Sequence, residues 1–211
     1  MKALLFDLDR TLVDLQTYTD YGAALTEVQA LVEVGEDADT PATDWDTPTR
    51  RCMSILVALS GTDRWQEVSD LIAAHELRAI PQSHPMPRLE EAMAISDHLP
   101  RAVVTLLAEE PARAALRHHG VSIPVVEPRR ADLRPKPAPD QVLEACRLLG
   151  VAPSETVMIG DSSWDAEAAA HAGCRFVGVA ATKAGIDRFG KEIATASNLV
   201  EAIRMASRDE G

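Results

Sequence analysis

The stretch MKALLFDLDRTLVD (residues 1–14) joins a short apolar run to a set of acids. KALLF (residues 2–6) reads as a buried strand, and Asp7 and Asp9 follow at alternate positions, so the strand ends in charge. The first acid interrupts the apolar run after four residues, too soon for a signal-peptide core, and no small-residue cleavage site follows. Elsewhere no stretch approaches the ~20 apolar residues that cross a bilayer. A cytoplasmic protein without a membrane partner is expected.

Working outward from this strand, Tyr18, Tyr21, Leu25, Val28 and Val32 recur at helical spacing and predict a helix over about 18–32. The acidic, proline-containing segment Glu33 to Pro48 reads as a loop. Two further helical stripes run through Cys52, Ile55, Leu56 and Leu59 and through Trp65, Val68, Leu71 and Ile72, with Gly61 between them as a stop signal. Residues 15–82 are therefore expected to be all helical. Beyond QSHPMP (residues 82–87) helices and short β-rich runs alternate. Strands are predicted at 101–106, 123–126, 156–160 and 175–179. Helices are predicted at 88–98, 110–119, 138–149, 164–172 and 198–206, with Gly120, Gly150 and Gly173 stopping three of them. Such alternation demands right-handed crossovers and a parallel sheet. The expected fold is α/β: a doubly wound parallel sheet built from residues 1–14 and 83–211, with a helical insertion at 15–82 after the first strand.

Composition agrees with one core and a modest insertion. The chain has 211 residues, 46% hydrophobic and 26% charged, which excludes disordered, collagen-like and disulfide-scaffold classes. Its 33 acidic and 21 basic residues give a net charge of −12, which repels nucleic acid and anionic membrane surfaces. Cys52, Cys146 and Cys174 are widely separated and lack CxxC or Cys/His ligand spacing, so neither a disulfide framework nor a zinc site is indicated.

In open α/β sheets the ligand crevice lies at the carboxyl ends of the strands. Four polar groups fall there: Asp7, Asp9 and Thr11 after the first strand, Thr105 ending AVVT, Lys136 within RPKPAPD, and Asp161 and Asp165 in GDSSWD. Asp7 and Asp9 alone fit a solvated acidic turn equally well. Joined by Asp161 in one crevice, however, ionised carboxylates raise one another's pKa unless a cation offsets them. Oxygen-only ligands favour Mg²⁺, which binds one or two carboxylates together with a substrate phosphate. Lys136 and the Thr105 hydroxyl then supply charge and donors to that phosphate. The chemistry this pattern suits is phosphoryl transfer.

These segments, in this order, resemble the four motifs of the haloacid dehalogenase-like superfamily. FDLDRT is similar to its DxDxT motif, the Thr of AVVT to its strand-end Ser/Thr, the Lys of RPKPAPD to its lysine motif and GDSSWD to its acidic motif. The insertion at 15–82 resembles the C1-type cap of the phosphoglycolate phosphatase and β-phosphoglucomutase branch. The resemblance implies that Asp7 is the nucleophile and forms an aspartyl-phosphate. It implies that Asp9 is the general acid and base, and that Thr105 and Lys136 bind the phosphoryl group. Mg²⁺ is then held by Asp7, Asp161 and the backbone carbonyl of Asp9, Asp165 supports the metal shell or orients Lys136, and Thr11 supports the site. Two positions depart from the family's common pattern: Arg10 stands where Gly is frequent, and Leu106 follows Thr105 where Asn is frequent.

The implied activity is Mg²⁺-dependent hydrolysis of a small phosphomonoester, of the phosphoglycolate or sugar-phosphate type, with a small phosphorylated metabolite as partner. A phosphomutase shares every core residue named, and a non-enzymatic binding module on the same fold is the third reading. Asp9 argues against dehalogenation, because the resembling dehalogenases lack this second acid. The absence of lysine from 15–82 argues against a Schiff-base phosphonate hydrolase. Among other polar residues, His118 and His119 are adjacent on a helix and are expected at the surface. Arg50 and Arg51 read equally as an anion contact or a solvated face, and Trp45, Trp65, Tyr18 and Tyr21 are expected to pack the insertion, some of them lining a pocket.

Overall fold

The computed structural model describes residues 1–32 and 38–208. Residues 33–37 of the segment expected to be a loop lie outside that description.

Six parallel strands form one sheet: β1 (Ala3–Phe6), β4 (Arg101–Val104), β5 (Val125–Glu127), β6 (Thr156–Gly160), β7 (Arg175–Val179) and β8 (Thr195–Ala196), in the order β5-β4-β1-β6-β7-β8. The remaining strands, β2 (Val13–Asp14) and β3 (His84–Pro85), form a separate antiparallel ribbon. β1 is central, and the chain winds outward from it in both directions, which opens a crevice at its carboxyl end.

Alternation along β1 sends Leu4 and Phe6 to one face and Leu5 to the other. On the first face, Val103, Val157 and Ile159 pack with α4 (Leu89–Ile95), α5 (Glu109–His118) and α9 (Leu199–Arg208). The second face carries Ala102, Val104 and Met158 against α6 (Asp140–Leu149) and α7 (Ser163–Ala172). The sheet strands are buried on both faces, which is why they read as continuous apolar runs rather than alternating ones. Gly150 (φ 68°) and Gly173 (φ 77°) end α6 and α7 in the left-handed conformation, as their stop-signal reading predicts.

Between β2 and β3 run α1 (Tyr21–Gln29), α2 (Thr47–Ala58) and α3 (Trp65–Ala79). Asp20 and Asp46 cap the first two, accepting from the backbone N–H of Ala23 and Thr49. The three helices share an apolar cluster of Tyr21, Val28, Cys52, Met53, Ile55, Trp65 and Ile72, into which α7 inserts the fully buried Trp164.

Several expectations are corrected. The helix expected from Tyr18 begins at Tyr21, where Asp20 offers a cap, while 38–46 is irregular chain, as the loop expected over 33–48 has it. The strand expected over 101–106 stops at Val104, because the Thr105 hydroxyl turns back to accept from Leu107 N–H. Pattern reading missed α8 (Lys183–Phe189), β8 and the β2–β3 ribbon, all too short to display a period. The ribbon pairs Val13 with Pro85 and Asp14 with His84, so the two ends of the helical segment leave and re-enter the sheet side by side.

Cys146 and Cys174, far apart in sequence, bring their sulfurs to 4.0 Å as free thiols. No described helix is long and apolar enough to cross a membrane.

Candidate active site

Asp7, Asp9, Thr105, Lys136 and Asp161 line one cleft above the carboxyl ends of β1, β4 and β6, with an empty volume of about 410 Å³. Lys136 is its centre. Its side chain is only 1% exposed, and Nζ donates to Asp7 Oδ1 at 2.6 Å, Asp165 Oδ1 at 2.5 Å and the Val104 carbonyl at 3.0 Å. Burial alone lowers the ammonium pKa, but the Asp165 and Asp7 carboxylates outweigh it, and the lysine is held charged above its usual range. Three fixed acceptors place this charge to within the tolerance of a hydrogen bond.

Behind the lysine, Asp165 has no free oxygen. Its Oδ2 accepts from Ser162 N–H at 3.1 Å and Ser162 Oγ at 2.6 Å, the capping box of α7. Gly160 makes room for it, since a Cβ there would lie 2.6 Å from Asp165 Oδ2. Gln141, fully buried, ties the lysine loop to the neighbouring strand end: its Oε1 accepts from Lys136 N–H at 3.0 Å and its Nε2 donates to the Thr105 carbonyl at 2.9 Å. The Thr105 hydroxyl accepts from Leu107 N–H at 3.1 Å, which leaves its own O–H as a donor to the cleft.

Asp9 Oδ1 accepts from Leu15 N–H and Gln16 N–H, both at 2.9 Å. Burial pushes its carboxyl up to about 7 against the pull of these two bonds. Burial likewise pushes Asp7 to about 7; Lys136 opposes the rise and Asp165 adds to it. Asp161 is raised well above the usual carboxylate range by burial and by the charges of Asp7 and Asp165.

The donor set fits a divalent metal ion. Carboxylate oxygens of Asp7, Asp161 and Asp165 lie within 4.8 Å of one another, and Asp161 Oδ2 is buried without a hydrogen-bond partner. Because Asp165 is committed to Lys136 and Ser162, Asp7 and Asp161 are the side chains left to bind an ion. Hard oxygen donors of this kind suit Mg²⁺ or Ca²⁺.

A model of the haloacid dehalogenase-like hydrolase family matches residues 1–173. The chain belongs to that family. The fold is likewise shared: a hydrolase from Pseudomonas syringae superposes with a TM-score of 0.74 at 22% identity, over 100% of both chains. CbbY from Rhodobacter sphaeroides, solved in complex with phosphate, gives a TM-score of 0.70 at 19% identity over 95% of this chain and 96% of that one. A stretch of 56 residues is also 43% identical to a Clostridium perfringens protein named as a candidate pyrophosphatase, PpaX. That match spans 26% of this chain and 26% of the relative.

In this haloacid dehalogenase-like hydrolase, two sequence-derived residues stand outside the cleft. Asp165 lies behind Lys136, and Thr11, fully buried with an unpartnered hydroxyl, faces an adjoining cavity beyond Asp161. Arg10 adopts φ 62°, in the left-handed region that a glycine at this position enters without strain. Its guanidinium donates to both Asp44 oxygens at 3.1 Å and sets Nε 3.4 Å from Asp161 Oδ2, tying the 38–46 segment to the cleft rim. α7 holds the same segment: Ser163 Oγ donates to the Ala42 carbonyl and Trp164 Nε1 to the Pro41 carbonyl, while Trp45 and Trp164 pack with ring centroids 5.1 Å apart.

Leu106 shapes the cleft through its side chain, and its carbonyl accepts from the buried Arg129 at 2.6 Å. Of the aromatic residues of the insertion, Tyr21 and Trp45 line the cleft; Trp65 packs in the helical cluster and Tyr18 stands against His84. Neither Arg50 nor Arg51 lines it. His118 is exposed as expected, whereas His119 shares a hydrogen bond with Ser83 at 2.8 Å.

Sequence reasoning missed Gln16, Thr49, Met53, Leu107 and Ser162 among the lining residues, and Gln141 beneath them. Only Ser162 had a local signal, the S-x-x-D spacing to Asp165. The others reach the cleft through tertiary packing.

Proposed function

We propose that the hydrolase is a Mg²⁺-dependent phosphatase of a small phosphomonoester, with residues 15–82 acting as a cap over the site. The observation that carries this reading is the buried Lys136 ammonium, 2.6 Å from Asp7 in a cleft that also holds Asp9, Thr105 and Asp161. An alcohol ester of phosphate needs a nucleophile, a proton donor for the leaving oxygen and fixed positive charge for the phosphoryl group. The cleft provides one of each.

In this reading Asp7 attacks phosphorus while Asp9 gives its proton to the departing alkoxide, so the P–O bond breaks as an aspartyl-phosphate forms. Water then attacks that phosphorus as Asp9 takes back a proton, and Asp7 and inorganic phosphate are released. A carboxyl near pKa 7 is suited to both proton transfers. The Lys136 charge offsets that of the phosphoryl group and the Thr105 O–H donates to a phosphoryl oxygen, while Asp165 and Gln141 hold Lys136. Asp7, Asp161 and the Asp9 carbonyl are the groups that would bind Mg²⁺. When bound, the ion supplies Lewis-acid stabilisation of phosphoryl charge and offsets the clustered carboxylates. The helical segment supports the assignment of a cap, since it contributes Gln16, Tyr21, Trp45, Thr49 and Met53 to the cleft wall.

The test is phosphate release from p-nitrophenyl phosphate with Mg²⁺, with EDTA, and by Asp7→Asn. Activity that needs Mg²⁺ and is lost in Asp7→Asn supports the reading; an Asp7→Asn variant that retains it overturns the reading.

A further inference from the structure

Part of the cleft wall carries no charged side chain. Gln16, Tyr21, Trp45, Thr49 and Met53 from the helical segment, with Leu106 and Leu107 from the sheet side, form it. No arginine of the helical segment lines this wall. Residues 15–82 hold four arginines and no lysine. Arg50 is exposed, Arg51 stands outside the lining, Arg64 donates to the Leu31 carbonyl and Arg78 contacts His75 at 3.5 Å.

The nearby cations of the sheet domain are already matched by carboxylates. Arg10 is paired with Asp44 and Asp161, Arg129 with Glu76, and Lys136 with Asp7 and Asp165. With Lys136 and the proposed Mg²⁺ both serving the phosphoryl group, the cleft lining offers no further cation to a second anionic group. A second anionic group on the substrate would be desolvated against Met53 and Leu106 with nothing to balance it, close to Asp9 and Asp161.

The wall also holds an unsatisfied donor. Thr49 is 2% exposed and its hydroxyl has no hydrogen-bond partner. Its backbone N–H is already capped by Asp46, so the side chain takes no part in closing the helix. A buried hydroxyl without a partner lowers its free energy by bonding a polar group that enters the cleft.

Resting on the phosphatase reading above, the geometry points to the phosphate monoester of an uncharged, hydroxylated alcohol as the substrate class: a polyol or sugar phosphate with one phosphoryl group and no carboxylate. A substrate hydroxyl bonds Thr49, and its C–H face packs on Met53, Leu106 and Trp45. Phosphoglycolate, bisphosphates and pyrophosphate are disfavoured by the same wall.

Matched pairs test this. Glycerol 3-phosphate and 3-phosphoglycerate share a carbon skeleton and differ by one carboxylate; glucose 6-phosphate and 6-phosphogluconate repeat the comparison. With Mg²⁺, kcat/KM is expected to favour the neutral member of each pair by about tenfold or more. Calorimetric titration of Asp7→Asn with the same esters is expected to show the same order of affinity. Met53→Arg should bring the ratio toward one, and Thr49→Val should lower glycerol 3-phosphate turnover relative to propyl phosphate by about tenfold. Equal or greater kcat/KM for the acid members, with p-nitrophenyl phosphate hydrolysed normally, overturns this inference and leaves the phosphatase reading standing. Failure to hydrolyse any of the four metabolite esters while p-nitrophenyl phosphate is hydrolysed also overturns this inference, and failure with p-nitrophenyl phosphate as well overturns both.

Discussion

Arg129 Nη1 lies 2.6 Å from Glu76 Oε1, and neither side chain has any exposed surface. The pair joins α3 of the helical segment to the chain just after β5. Arg129 spends its remaining donors on Ser69 Oγ, the Ser69 carbonyl and the Leu106 carbonyl, while Glu76 Oε2 has no partner. An ion pair so placed gains little over an apolar contact, but removing one member strands a buried charge. Glu76→Gln should therefore destabilise the fold by about 3–5 kcal/mol in urea unfolding, whereas Glu76→Leu with Arg129→Met should lie within about 2 kcal/mol of the parent. A single-variant loss below about 1 kcal/mol would show that water reaches the pair.

Lys136 owes its position to Asp165 as well as to Asp7. Lys136→Met should lower kcat for phosphate-ester hydrolysis by about 10²–10³. Lys136→Arg should rescue little of it, because a planar guanidinium cannot occupy the point shared by two carboxylates and the Val104 carbonyl. Asp165→Asn, which keeps the shape and removes the charge, should cost about 10–100-fold. Steady-state kinetics on folded variants separate these outcomes, and parent-like activity in Asp165→Asn would refute the positioning role.

Gly160 sits where β6 gives way to the acidic motif. A Cβ added there meets Asp165 Oδ2 at 2.6 Å and Asp165 Cβ and Cγ at 2.7 Å, all parts of a side chain pinned by three hydrogen bonds. Gly160→Ala should thus destabilise the protein by about 1–3 kcal/mol and reproduce the kinetic loss of Asp165→Asn. An alanine variant with unchanged Tm and unchanged kcat contradicts this packing.

Glu127, at the end of β5, is 1% exposed, and burial pushes its carboxyl up to about 7 against the pull of Arg130 at 3.3 Å. Its folded pKa is above its unfolded one, so the folded state keeps the proton longer as pH rises. Stability tied to this group is full below about pH 4.5, falls between 4.5 and 7, and is lost above 7. Glu127→Gln removes that loss. The variant should exceed the parent by about 1–3 kcal/mol at pH 8, with the gap closing toward pH 4.5, as read from thermal unfolding at both pH values.

Much of the site was legible because its residues are marked locally. Asp7, Asp9, Thr105 and Asp161 each end an apolar strand run, and Lys136 is conspicuous in a chain with four lysines. Glycine stops and strand runs fix positions without reference to the rest of the chain, so β6 and β7 begin and end where their patterns do. Asp165 was legible as a residue that either supports the metal shell or orients Lys136; choosing between the two takes the tertiary structure, because Lys136 and Asp165 are 29 residues apart and belong to different βα units. Nothing local marks Thr49 or Met53 as cleft residues: the helical stripe that buries them is the same whether they face a neighbouring helix or a substrate.

Local pattern by itself determined the strand ends, the acidic and basic groups placed at them, and a helical segment following the first strand. It did so because hydrophobic period and chain-stop signals act over a few residues. Tertiary structure alone decided which charges are already paired. Arg10 with Asp44, Arg129 with Glu76 and Lys136 with Asp165 form across 29 to 53 residues of chain, and folding brings the neutral Gln16, Tyr21, Trp45, Thr49 and Met53 to the cleft wall in their place. A residue's type gives its charge, but burial and a partner's position determine whether that charge is available to a ligand.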